Sequence, residues 1–159
     1  LRTFGAIPMA VGVEPIVADD HVTITVPERE PRPFGQDEPA QFRGVRVAGT
    51  GQVSAWTTLP RAQIGAYVTH DNVTSIIAEQ LRLIGALGVL TGDRFAISAG
   101  LAGSMMISAG RGSATSLGFG HEQPVRITPD ESVSIAAFNL GAADIAILLA
   151  NRIVASIGR

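Results

Sequence analysis

The segment richest in glycine, residues 100–120, is the first place to look for chemistry. It reads GLAGSMMISAGRGSATSLGFG and contains one arginine, Arg111. A phosphate-binding loop needs G-x-x-x-x-G followed by Lys and Ser or Thr, or the spacing G-x-G-x-x-G, and the segment has neither. It also does not lead from a strand into the N-terminus of a helix, where free amides bind anions. We therefore predict a flexible connection between strands, most mobile at residues 110–116, with an anion-contacting loop around Arg111 as the alternative.

The three histidines are the next candidates for acid–base or metal chemistry. They are His21, His70 and His121, and each has an acidic neighbour in sequence. None has a carboxylate or another histidine three or four residues away, the spacing that would preset a metal site on a helix. Adjacent side chains in extended backbone point to opposite faces, so these pairs do not predict a base with its orienting acid. No G-x-S-x-G elbow surrounds any serine. We predict no catalytic residue, no metal ligand and no cofactor.

Four other residues remain as candidates for binding rather than catalysis. Arg111, His121 and Arg126 are the nearest approach to an anion-binding set in the polar loops of the second half. Trp56, the only tryptophan, lies on a predicted strand, where it anchors a partner or packs in the core. We keep these four residues as the candidate anion or partner contacts.

Composition excludes several classes of chemistry. The chain has 159 residues, a net charge of −2 and no cysteine, and all twelve basic residues are arginine. Without lysine there is no Schiff base and no Walker lysine, and without cysteine there is no thiolate, disulfide or Cys-based metal site. The small negative charge gives no electrostatic reason to expect nucleic acid as a partner.

Two hairpins and a helix are predicted in the first half. Residues 9–17 and 21–26 form the first hairpin around Asp19 and Asp20, and residues 44–48 and 52–59 form the second around a Gly-Thr-Gly turn. Prolines and charges in residues 28–42 predict a surface loop between them. Apolar residues at helical spacing follow Asp71, which we predict as the N-cap, and Gly88 is the predicted stop.

The second half repeats this order of elements. We predict strands at residues 95–99 and 104–108, a hairpin at 125–140 and a closing helix at 142–157. Five positions of the 125–140 segment match the second hairpin without a gap. They are Val125, Arg126, Ile127, Val133 and Ser134, against Val45, Arg46, Val47, Val53 and Ser54. The matches indicate a pseudo-duplicated unit of strands plus helix, and convergent hairpin chemistry explains them equally well.

The closing helix is apolar around most of its circumference. Only Asp144, Asn151, Arg152 and Ser156 form a polar edge, and these residues interrupt the apolar run that a membrane span needs. We therefore predict no membrane span. Either the helix lies in the trough of the sheet beside the first helix, or a second chain covers part of it.

One family resemblance concerns residues 92–159. They open with GDRFAISAGLAGS and continue through a loop, a hairpin and a terminal apolar helix ending in ASIGR. This part of the chain resembles the C-terminal region of actinobacterial proteins that begin with a Schlafen AlbA-like predicted nucleic-acid-binding domain. In that family the acidic and glycine signatures of nucleotide or nucleic-acid contact lie in the N-terminal domain, and nothing in this chain matches them. The resemblance implies an accessory, non-catalytic part of a larger cytoplasmic bacterial protein.

Together these observations predict a fold class and a function. We expect residues 1–159 to form a single α+β domain, a fragment of a longer protein, with an antiparallel sheet of about six or seven strands and two helices packed on one face. We expect a non-enzymatic interaction, assembly or regulatory domain whose partner is itself or a neighbouring domain. The alternative is a ligand- or nucleic-acid-contacting domain that uses the polar loops around Arg111, His121 and Arg126.

Overall fold

The computed structural model describes residues 15–27, 42–59, 66–102, 104–111, 114–121, 124–128 and 132–157. They form eleven strands and two helices. In chain order these are β1 (Ile16–Val17), β2 (His21–Pro27), β3 (Phe42–Ala48), β4 (Val53–Thr57), β5 (Ala66–Thr69), α1 (His70–Ala86), β6 (Arg94–Ala96), β7 (Ala99–Leu101), β8 (Ser104–Arg111), β9 (Ala114–His121), β10 (Val125–Ile127), β11 (Ser132–Ser134) and α2 (Ile135–Ile157). The chain divides into two compact units, of which unit 1 is residues 1–58 and 83–91 and unit 2 is residues 59–82 and 92–159. Whether the chain acts as a single domain, and whether it belongs to a longer protein, stay predictions.

Unit 1 is built on an antiparallel sheet in the order β1-β2-β3-β4. Both predicted hairpins are confirmed in the described residues, since β1 pairs with β2 and β3 pairs with β4. The second turn depends on Gly51, whose φ of +86° lies in the left-handed region. Residues 9–14 and the predicted loop at 28–41 lie outside the described part of the chain. One face of the sheet is apolar, and its buried centre consists of Ile24 and Val45 packed with Leu87.

Unit 2 contains a three-stranded sheet in the order β5-β8-β9 and two short antiparallel pairs, β7 with β10 and β6 with β11. In the three-stranded sheet, β5 runs parallel to β8, and β8 runs antiparallel to β9. Strands β7, β10 and β11 pack against α2. The core of this unit gathers residues from β5, both helices and β10: Val68, Val73, Val125, Ile127, Leu149, Ala150 and Ile153.

The predicted fold class is confirmed as α+β with two helices and antiparallel sheets, but the predicted sheet of six or seven strands is wrong. The main sheet has four strands, and the other described strands form separate smaller sheets. The physical reason is the pairing of residues 125–134. Strand β10 pairs with β7 and β11 pairs with β6, both antiparallel, so the chain keeps one direction through this segment instead of folding back on itself. The predicted hairpin at 125–140 is therefore wrong, and the proposed repeat of the β3–β4 hairpin loses its structural counterpart.

The glycine-rich segment also differs from its prediction. Residues 104–111 and 114–121 are paired along their length as β8 and β9, with only two residues between the strands. The prediction of a strand-to-strand connection across residues 109–121 is therefore wrong. Glycine and serine are poor strand formers, and regular pairing with neighbouring strands outweighs that weak local preference.

Helix α1 begins two positions earlier than its predicted cap indicates. The Thr69 hydroxyl accepts a hydrogen bond from the Asn72 amide at 3.1 Å, and the Asn72 side chain accepts one from the Thr69 amide at 2.9 Å. Thr69 is thus the N-cap in a reciprocal capping pair, and the prediction of Asp71 for that role is wrong. Asp71 lies exposed in the first turn, where a negative charge still favours the helix dipole. The predicted stop at Gly88 is confirmed by its φ of +62°.

Helix α2 begins at Ile135, seven residues before the predicted start of the closing helix. Its N-cap is Ser134, whose hydroxyl accepts a hydrogen bond from the Ala137 amide at 3.1 Å. Gly141 interrupts the helical geometry with φ −110° and ψ 16°, so the predicted helix corresponds to the arm after this kink. The arm before the kink is held by Phe138, whose ring meets that of Phe95 edge to face at 5.1 Å.

Candidate functional site

The structure separates two members of the predicted anion-binding set. Arg111 pairs with Ala114 at one end of the β8–β9 ladder, and His121 pairs with Ser104 at the other end. Seven residues of extended strand separate the two ends, which is roughly 23 Å at about 3.3 Å per residue. Only the backbone of these two residues is among the described parts of the chain. The ladder therefore does not bring Arg111 and His121 together at one site.

Arg126 occupies the exposed position of a short ladder. It lies on β10 opposite Gly100, between Val125 and Ile127, which are both buried. A Cβ added at Gly100 would lie 2.5 Å from the Val125 carbonyl oxygen, so the two backbones approach closely here. The alternation of buried and exposed residues directs Arg126 away from the core of unit 2. Its role in binding an anion or a partner stays a prediction.

Trp56 lies on the polar face of the four-stranded sheet. The register places it opposite Gly44, which in turn lies opposite Thr25, and residues opposite one another share a face. The indole covers Gly44, because a Cβ added there would overlap the ring. Glycine is therefore required at this position for the tryptophan to lie flat across the strand. Trp56 packs on its own sheet, and a second role as a partner anchor stays a prediction.

A charged cluster on the same polar face was not predicted from the sequence. His21 Nδ1 lies 2.5 Å from the Asp20 carboxylate, and Arg46 Nη2 lies 2.7 Å from His21 Nε2. The register explains the second contact, since Arg46 pairs with Thr23, two residues from His21 on the same face. Asp20 reaches its neighbour because it lies in the turn before β2 and not in the strand itself. The prediction that the side chains of adjacent residues point to opposite faces is therefore wrong at this hairpin turn.

Both ring nitrogens of His21 have close polar neighbours. Arg46 Nη2 lies 2.7 Å from Nε2 and 3.2 Å from Nδ1, and Nδ1 also contacts the Asp20 carboxylate. Both ring nitrogens are thus engaged in bonds that join β2, β3 and the turn. The cluster braces two strands and does not present a free base to a substrate.

The cluster predicts an acidic shift at Asp20. The hydrogen bond from His21 and then its charge, with a smaller effect of Arg46, lower the pKa of Asp20 below its ordinary 3.8. A lowered pKa means that the stabilising contribution is present above pH 3.8 and is lost as the pH falls through the folded pKa. We expect NMR titration to show this pKa, and His21→Leu to return it towards 3.8. In the matched control His70→Leu, the Asp20 titration should not change. An unshifted Asp20 in the parent protein would contradict the cluster geometry.

The second acid–histidine pair forms a longer contact than the first. His70 Nδ1 lies 3.4 Å from the Asp71 carboxylate, a long contact in which Asp71 is fully exposed. Among the described residues, no group of three or more histidine or acidic side chains comes close enough to hold a metal ion. Neither feature adds a reactive group to the site.

The most unusual surface of the described chain is the outer face of α2. We define the α2 stripe as the exposed residues that share one face of the arm after the Gly141 kink, together with Leu140 at the end of the arm before it: Leu140, Ala143, Asp144, Ile147, Leu148, Asn151 and Ala155. Leu140 is 91% exposed, Leu148 64% and Ile147 41%. The opposite side of the helix is buried in the core of unit 2 through Leu149 and Ile153. One side of α2 is therefore packed, and the other leaves three large aliphatic side chains in contact with water.

By length and composition alone, α2 is also long and apolar enough to cross a membrane. A core helix of a soluble protein meets the same criterion. The polar residues that supported the prediction of no span remain relevant, because Asp144 and Asn151 lie on the α2 stripe itself. A charged residue facing lipid near the middle of a span is costly.

Some of this surface could have been recognised from the sequence. The apolar circumference of the closing helix was a clear signal, but burial on one side and exposure on the other depend on which strands it meets. The contact between His21 and Arg46 joins residues 25 positions apart, and it follows from the register of β2 with β3. No local pattern in either segment encodes that register.

Comparison with protein-family models, curated proteins and solved structures finds no match for this chain. The resemblance to the C-terminal region of the Schlafen AlbA-like proteins stays a prediction.

Proposed function

We propose that this chain is a non-enzymatic interaction domain that assembles with a second copy of itself through the α2 stripe. The observation that supports the proposal is the exposure of Leu140, Ile147 and Leu148 along a helix whose opposite side packs into the core of unit 2 through Leu149 and Ile153. Burying a large aliphatic side chain contributes roughly 1.5–3 kcal/mol, so covering this face is strongly favourable. A second protein surface covers these aliphatic side chains and also offers hydrogen-bond partners to Asp144 and Asn151 of the stripe.

The charged cluster supports the same choice between enzyme and interaction domain. Its histidine is fully engaged by Arg46 and Asp20, and Arg111 and His121 lie at opposite ends of one ladder. The alternative of a ligand or nucleic-acid contact around Arg111, His121 and Arg126 therefore has no observation in its favour. We include in the proposal an accessory role in a larger cytoplasmic bacterial protein, for which the only support is the family resemblance.

Sedimentation velocity across the micromolar range tests the proposal. We expect the parent chain to show more than a monomer mass, and Leu148→Glu to sediment as a monomer because a carboxylate replaces an apolar contact. Ser75→Glu, which adds a carboxylate at an exposed position of α1, is the matched control and should associate like the parent. A monomer mass for the folded parent chain at every concentration would contradict the proposal.

A further inference from the structure

Resting on the proposed function, we infer that two copies pair their α2 helices antiparallel, about a two-fold axis that passes between Ile147 and Leu148. The positions of the stripe residues carry this inference. Asp144 lies three residues before Ile147, and Asn151 lies three residues after Leu148. The stripe is therefore nearly symmetric about its own midpoint, the property that a two-fold interface between identical helices requires.

The chemistry of the opposed residues is complementary. In the antiparallel pair, the Asp144 carboxylate faces the Asn151 amide of the other copy, and the symmetry makes this hydrogen bond twice. Ile147 and Leu148 meet each other at the axis. Each exposed polar group thus has a partner, and the apolar groups form a continuous seam.

A parallel arrangement of the same stripe lacks these matches. It places Asp144 opposite Asp144 of the second copy and brings two like charges together at a partly desolvated site. The interface covers the arm of α2 from Ala143 to Ala155, about 20 Å for thirteen residues, so the association is expected in the micromolar range.

Charge substitution at residue 151 gives opposite results for the two arrangements. In the antiparallel pair, Asn151→Lys places a cation opposite each Asp144 and should tighten dimerisation about fivefold. Asn151→Asp places like charges there and should weaken it by a similar factor. In a parallel pair, residue 151 faces itself, so both substitutions weaken the dimer. Weakening by Asn151→Lys, measured by sedimentation equilibrium, would overturn the inference.

Disulfide cross-linking provides a direct geometric test, because the chain has no cysteine of its own. A disulfide requires Cα atoms within about 7 Å. We expect an oxidised mixture of Asp144→Cys and Asn151→Cys to form a heterodimer, because these positions face each other. Neither variant alone should cross-link, because like positions are then roughly 10 Å apart along the axis. Ser75→Cys is the control for random collision.

The outcomes of these experiments distinguish a failure of the antiparallel pairing from a failure of the proposed self-assembly. Cross-linking of Asp144→Cys with itself, in a chain that dimerises, would replace the antiparallel pair with a parallel one and leave self-assembly intact. No cross-link in a chain that still dimerises would move the interface away from α2. A monomer that instead co-sediments with phosphatidylcholine–phosphatidylglycerol vesicles would assign the stripe to a membrane and overturn both. Circular dichroism of each variant confirms that α2 is still folded.

Discussion

Leu149→Ala is expected to lower the free energy of unfolding by about 2–4 kcal/mol, whereas Leu148→Ala changes it by less than about 0.5 kcal/mol. The two residues are neighbours on α2 and lose the same atoms. Leu149 is 6% exposed within the core of unit 2, and Leu148 is 64% exposed on the α2 stripe. Truncating Leu149 leaves a cavity between α2 and the residues that it packs against, whereas truncating Leu148 leaves no cavity.

The same pair of variants has the reverse effect on association. Leu148→Ala removes apolar contact area from the seam and should weaken dimerisation, while the Leu149 side chain is directed into the core and contributes nothing to it. Urea unfolding at low concentration, followed by circular dichroism, measures the first effect, and sedimentation measures the second. Equal destabilisation by the two variants would show that the assignment of packed and exposed faces on α2 is wrong.

Gly44→Ala is the second large effect that we expect, with a loss of about 1–3 kcal/mol in the stability of unit 1. The added Cβ would overlap the Trp56 indole, and it would lie 2.8 Å from the Ile24 carbonyl oxygen on the neighbouring strand. The indole can rotate away, but the backbone of β2 cannot move without disturbing its ladder with β3. The cost therefore combines a displaced ring with a strained pair of strands.

The only tryptophan reports on this change directly. Trp56 emission should shift in Gly44→Ala as the ring leaves its position across β3, and the unfolding midpoint should fall. Gly49→Ala is the matched control, because a Cβ there would lie at an ordinary 3.4 Å from the nearest atom, the Asp20 carbonyl oxygen. An unchanged emission spectrum and midpoint in Gly44→Ala would contradict the packing of Trp56 on Gly44.

The elements that local sequence could predict are those whose partners lie nearby. The β1–β2 and β3–β4 hairpins have turn residues between two alternating segments, and α1 has apolar residues at helical spacing and a glycine stop. Each of these patterns is complete within about twenty residues. This locality is why both hairpins and the first helix were predicted correctly.

The predictions that failed concern segments whose partners lie far away in the chain. Strand β10 pairs with β7, which lies earlier in the chain, and not with β11. The segment that continues from Ser134 into Ile135 alternates like a strand, but its residues form the first turn of α2. Long-range pairing of this kind decides between a strand and a helix for short apolar runs. The N-cap at Ser134 was the one local signal that favoured the helix.

The features of the candidate site also divide into those that local sequence indicates and those that depend on residues far away in the chain. The apolar character of the closing helix indicated an assembly surface, but the positions that remain exposed depend on which side the core of unit 2 covers. The cluster of Asp20, His21 and Arg46 depends on a turn conformation and on the β2–β3 register together. Sequence reasoning identified the residue types and missed their arrangement.

The order of the two units along the chain has a consequence for synthesis on the ribosome. Unit 1 completes its core with Leu87, yet residues 59–82, which precede it, belong to unit 2. At about 5–20 residues per second, the chain between Thr58 and Leu87 takes roughly 1.5–6 s to make. During that interval the apolar side chains of Ile24 and Val45 lack their covering residue. The nascent chain therefore exposes the apolar face of the four-stranded sheet to chaperones before either unit has completed its core.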